Sequence, residues 1–142
     1  MRPPFRLPAD SPGRVCLPLF GHRVAAGFPS PADDYVEDRL DLNELLIQHQ
    51  EATYFLRVAG DSMVGAGIHP GDLLVVDRAI HAQDGHVVVA EVNGELTVKR
   101  LRQVAGAPEL HPENPAYPVI RFQDGQELRI WGVVTSAVHR VL

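Results

Sequence analysis

Asn93-Gly94 constrains the fold of this chain more than any other feature. The pair stands between two strand-like runs, 86–92 (HVVVAEV) and 95–104 (ELTVKRLRQV). Asn and Gly accept the positive φ angles of a two-residue hairpin turn, so the runs are predicted to pair as adjacent antiparallel strands. The same texture extends to either side. Residues 52–60 (ATYFLRVAG), 73–80 (LLVVDRAI), 116–122 (AYPVIRF) and 127–142 (ELRIWGVVTSAVHRVL) read as further strands, separated by turns rich in Gly, Asp and Pro. The predicted fold is mostly β, a compact antiparallel domain.

The ends of that domain differ in character. Prolines at 3, 4, 8, 12, 18, 29 and 31 fill the first thirty or so residues. Proline removes a backbone donor and fixes φ, so residues 1–32 are expected to form an extended, flexible N-terminal arm, with the folded domain spanning 33–142. Residues 33–49 (DDYVEDRLDLNELLIQH) carry a helical pattern through Tyr35, Val36, Leu40, Leu42, Leu45, Leu46 and Ile47. This short helical segment is read as one helix or as two, the second capped by Asp41.

The chain has 142 residues, 45% of them hydrophobic, enough for one compact domain with a core. A net charge of −5 argues against direct sequence-specific DNA binding, which needs clustered Lys and Arg. The lone cysteine, Cys16, allows no internal disulfide, which makes the cytoplasm the expected compartment. No run reaches the roughly 18–20 apolar residues of a membrane span, and the N-terminus lacks the apolar stretch of a signal peptide. Seven histidines, at 22, 49, 69, 81, 86, 111 and 139, form no HExxH and have no cysteine pair nearby, so no metal site and no cofactor are expected.

Two residues stand out for chemistry. Gly60-Asp61-Ser62-Met63 follows a predicted strand, where the chain must turn. A serine there stands exposed, and the backbone amides of Ser62 and Asp61 are free to hold an oxyanion. Serine in a Gly-rich turn is also an ordinary turn residue, and Asp61 reads as one too. Lys99 lies within Thr97-Val98-Lys99-Arg100-Leu101, where alternation places Thr97, Lys99 and Leu101 on one face. A strand lysine is ordinarily solvated. To act as a base it must shed its proton, which burial among apolar groups favours.

Three segments together resemble the UmuD family of SOS mutagenesis proteins, within the LexA-like Ser–Lys self-cleaving peptidases. They are Ala25-Ala26-Gly27-Phe28-Pro29-Ser30-Pro31, then Gly60-Asp61-Ser62-Met63 with Gly67-Ile68 and 71–77 (GDLLVVD), then 94–101 (GELTVKRL). The separation of 37 positions between Ser62 and Lys99 is similar to the family's, as are 41–49 and Trp131-Gly132-Val133-Val134. The resemblance implies the LexA-like peptidase fold, Ser62 as nucleophile, Lys99 as its base and Ala26–Gly27 as the self-cleavage bond. It further implies stimulation by the RecA–single-stranded DNA filament, and a processed homodimer that serves a Y-family translesion polymerase as accessory subunit. The residues themselves agree with the bond: 25–27 are small, and Gly27 is conformationally free. The 35 positions between Gly27 and Ser62 could extend up to roughly 115 Å. Two other readings stand beside this one. A self-cleaving phage or plasmid repressor is disfavoured, because no DNA-binding domain precedes the arm. A non-catalytic dimeric interaction module needs neither Ser62 nor Lys99.

Overall fold

The computed structural model describes residues 14–21, 23–29 and 36–142. The chain forms two units, Met1–Leu46 and Ile47–Leu142.

In the first unit, β1 (Leu17–Phe20) pairs antiparallel with β2 (Val36–Leu40), and α1 (Leu42–Leu46) follows. Both strands correct the sequence expectation. Regular structure was not expected within the proline-rich arm, yet Pro18 sits in β1. A two-stranded ribbon has only edges, and edge strands tolerate a missing donor. Residues 36–40 were expected to be helical. They are strand because Val36 faces Phe20 and Leu40 faces Leu17, apolar cross-strand pairs that a lone helical turn would lack. The second half of the predicted helix is present as α1. Asp41 caps it as expected, its carboxylate accepting the Asn43 amide at 2.9 Å. The expected domain boundary at 32/33, Tyr35, and Ser30-Pro31 of the cleavage motif lie outside the described residues.

The second unit is a seven-stranded sheet. Its strands are β3 (Thr53–Arg57), β4 (Leu73–Asp77), β5 (Val87–Val92), β6 (Glu95–Val104), β7 (Ala107–His111), β8 (Ile120–Arg121) and β9 (Arg129–Val138). Their spatial order is β3-β4-β9-β5-β6-β7-β8, with every neighbour antiparallel. The mostly β, LexA-like expectation therefore holds. The last strand inserts between β4 and β5, so that neither is an edge strand. β5 shows the result. Its Val87 and Val89 pack with Leu74, Val76 and Met63, while its Val88 and Ala90 pack with Leu101, Leu110 and Val133. A strand buried on both faces reads as a continuous apolar run, as residues 87–90 do.

The hairpin turn at 93–94 forms as expected, with φ of 51° at Asn93 and 81° at Gly94. A second turn of the same kind joins β6 to β7 through Ala105 (φ 50°) and Gly106 (φ 81°). Alanine is a poor residue for positive φ, so the sequence carried no hairpin signal there and β7 went unpredicted. The strand expected over 116–122 shrinks to β8. Pro118 interrupts it, and residues 113–117 are engaged with the turn that carries Ser62.

Candidate active site

Ser62 sits two residues beyond Gly60, whose φ of 83° bends the chain sharply after β3. Four hydrogen bonds fasten this turn to residues 113–117. The Glu113 amide donates to the Ser62 carbonyl at 2.8 Å, and the Gly65 amide donates to the Glu113 carbonyl at 2.8 Å. Asn114 Nδ2 donates to the Asp61 carbonyl at 2.9 Å, and the Tyr117 hydroxyl donates to the Asp61 carboxylate. Gly65 is required by this contact, since a Cβ there would lie 2.6 Å from the Glu113 carbonyl oxygen. Asp61 is thus held in the turn by Tyr117, which lines the same cleft as Ser62. Tyr117 in turn holds its proton above the ordinary tyrosine range, chiefly through its hydrogen bond to that carboxylate.

The central part of β6 brings Lys99 to this turn. Lys99 Nζ lies 3.1 Å from Ser62 Oγ, 2.7 Å from Thr97 Oγ1 and 3.2 Å from the Val98 carbonyl. Lys99 is 8% exposed, and among the described residues no carboxylate is paired with it. Burial lowers its pKa below the ordinary lysine range, because a charged ammonium loses hydration that nothing there replaces in full. A neutral amine has two hydrogens and one lone pair. Nζ donates to all three oxygens here; in the neutral amine, hydrogens to Thr97 and Val98 would leave the lone pair for Ser62. Among the described residues nothing accepts the amide hydrogen of Ser62, which remains available to a substrate oxygen, whereas the Asp61 amide is turned toward the Tyr117 hydroxyl oxygen. A cleft of about 450 Å³ opens here, with Leu56, Val58, Leu74, Leu96 and Val98 as its apolar wall.

Ala26 and Gly27 belong to the first unit. They lie in an exposed, irregular segment between β1 and β2, and a Cβ added at Gly27 would meet nothing within 4 Å. Val24 and Phe28 on either side are 88% and 93% exposed. Sequence reasoning named Ser62, Lys99 and Asp61 but passed over Thr97, Asn114 and Tyr117. Alternation placed Thr97 on the face of Lys99 and could have flagged it. Asn114 and Tyr117 reach Asp61 from more than fifty positions away, which no local pattern records.

The family model described as Peptidase S24-like matches residues 18–135. The chain belongs to this family of serine peptidases. The peptidase S24-like match spans both units and contains Ser62, Lys99 and the Ala26–Gly27 bond. Protein SamA of Salmonella typhimurium is 49% identical over 94% of this chain and 92% of its own length. Protein ImpA of Escherichia coli is 48% identical over 96% and 94%. A LexA repressor of Paracidovorax citrulli is 43% identical over 97% of this chain but only 61% of the repressor. These matches bear out the UmuD- and LexA-type resemblance read from the sequence. Among the described residues no helix is long and apolar enough to cross a membrane.

Proposed function

We propose that the protein is a self-cleaving SOS-response peptidase in which Ser62 and Lys99 form the catalytic dyad and Ala26–Gly27 is the bond cut. The observation that carries this reading is the buried Lys99 amine 3.1 Å from Ser62 Oγ, with no paired carboxylate among the described residues to hold it charged. Neutral Lys99 takes the Ser62 proton as Oγ attacks the Ala26 carbonyl carbon. The Ser62 amide holds the resulting oxyanion, joined by the Asp61 amide once that turns from the Tyr117 hydroxyl. The tetrahedral intermediate collapses, the C–N bond breaks, and the ammonium of Lys99 returns its proton to the Gly27 amine. Water, deprotonated by Lys99, then hydrolyses the acyl-enzyme and restores Ser62.

The biological reading follows the family resemblance seen in the sequence. The intact chain is cut when it meets the RecA–single-stranded DNA filament, and the shortened form acts as a homodimeric accessory subunit of a Y-family translesion polymerase. In this reading residues 1–32 are the processed arm, residues 33–142 are the peptidase and dimerisation domain, and the cytoplasm is the working compartment. The filament acts by favouring the conformer in which the cleavage segment occupies the cleft.

Incubation at rising pH followed by mass spectrometry tests the chemistry. The wild type should split between residues 26 and 27, at a rate that climbs about tenfold per pH unit until Lys99 is neutral and then levels off. Ser62→Ala and Lys99→Ala should each reduce cleavage to background with an unchanged circular dichroism spectrum. Gly27→Glu should block cutting at that bond. Normal-rate cleavage in either dyad variant would remove that residue from the mechanism.

A further inference from the structure

The loop that begins with Ser62 ends in a second group of chemically able side chains. His69 and Asp72 flank the turn before β4, and His139 follows β9. The Asp72 side chain is 1% exposed, while the two imidazoles are about half exposed. His139 Nδ1 lies 2.6 Å from Asp72 Oδ1, and His69 Nδ1 lies 3.7 Å from Asp72 Oδ2. The ring centroids are 4.8 Å apart. One donor atom from each residue can be chosen so that all three lie within 4.8 Å of one another. Asp72 is fixed in place. Its Oδ2 accepts the His69 amide at 2.8 Å, its amide donates to the His69 carbonyl at 3.1 Å, and its own carbonyl accepts the Val58 amide at 2.9 Å.

We propose that His69, Asp72 and His139 form a binding site for a divalent transition-metal ion, with zinc the best match. Two imidazoles and one carboxylate, with water completing the shell, are a zinc donor set, whereas magnesium and calcium select oxygen. Zinc bonds of about 2.0–2.2 Å set tetrahedral ligand atoms about 3.3 Å apart. The His69–Asp72 separation is already near that value. The His139 ring must draw back slightly, and its half-exposed setting leaves it room to rotate. None of the three residues lines the serine cleft, so the site is separate from the peptidase chemistry. A bound ion clamps the end of β9 to the turn before β4, joining positions 67 residues apart. The sequence expectation of no metal site missed it because the third ligand is so distant from the other two.

The full chain should be titrated with zinc chloride against a chromophoric chelator. One zinc per chain is expected, bound at least tenfold more weakly by His69→Gln and by His139→Gln. Glutamine keeps an N–H donor for Asp72, so both variants retain the hydrogen bond that the fold uses. Zinc should raise the thermal midpoint of the wild type and of neither variant. His49→Gln alters a ring paired with Asp77 instead, and should bind zinc as the wild type does. Cobalt(II) should give d–d absorption bands that are lost in the same two variants. Equal zinc binding by the wild type and both variants, or no stoichiometric binding by the wild type, would mean that the imidazoles serve only as hydrogen-bond partners of Asp72.

Discussion

In the proposed reaction Lys99 must give up its proton, and its burial makes that proton expensive for the folded state to keep. Desolvation holds the folded pKa below the ordinary value of 10.5. Between the two pKa values the unfolded chain binds the extra proton, so stability rises with pH across that window. Below the folded value the full penalty of burying the ammonium applies. Above 10.5 both states are neutral and the penalty is gone. Lys99→Met should therefore melt at a higher temperature than the wild type at pH 7, and the gap should narrow as pH approaches 10.5. Calorimetry at several pH values measures both trends, and a variant less stable than the wild type at neutral pH would show the ammonium to be well satisfied. Thr97 matters at the same scale. Its hydroxyl accepts a hydrogen bond from Nζ at 2.7 Å, and in the proposed reaction this contact leaves the lone pair of the neutral amine for Ser62.

At the scale of elements, turns and close approaches decide how the strands assemble. Ala105 holds φ at 50° in the β6–β7 turn, where its Cβ is disfavoured and Asn or Gly would not be. Ala105→Asn should stabilise the protein by about 1 kcal/mol, read as a rise in the denaturation midpoint with an unchanged m-value. Gly132 lies in β9 where that strand crosses from β4 to β5. A Cβ there would sit 2.6 Å from Val76 Cγ1 in the buried centre of the sheet. Gly132→Ala should cost about 1–3 kcal/mol, through overpacking and through a φ of 155° that residues with a side chain rarely adopt. Val76→Ala introduced alongside it should recover part of that loss, since it removes the atom struck. A double-mutant cycle gives the coupling, and strict additivity would mean that the strain lies elsewhere. The short helix α1 is the converse case. Its Asp41 cap was legible locally, whereas β2 beside it was not, because a partner strand supplied by β1 overrode a helical pattern.

For the whole molecule, the two clusters of buried apolar side chains found among the described residues draw on the Ile47–Leu142 unit. The fragment 47–142 should therefore fold cooperatively by itself, with the dispersed amide spectrum of an ordered β sheet. A collapsed, undispersed spectrum would show that the first unit is needed for folding. Much of this architecture was readable beforehand. Alternation and the Asn93-Gly94 turn determined the β class, and β3 to β6 and β9 stand close to where the sequence put them, because those signals depend on near neighbours. The motif around Ser62 and the strand holding Lys99 were legible for the same reason. Only the tertiary structure decided that β9 would lie between β4 and β5, that Lys99 would lose its water beside Ser62, that Tyr117 would anchor Asp61, and that His139 would meet Asp72. Each of these depends on residues tens of positions apart being brought together, and burial, which sets the charge of an amine or the reach of a carboxylate, is a property of that assembly and of no single segment.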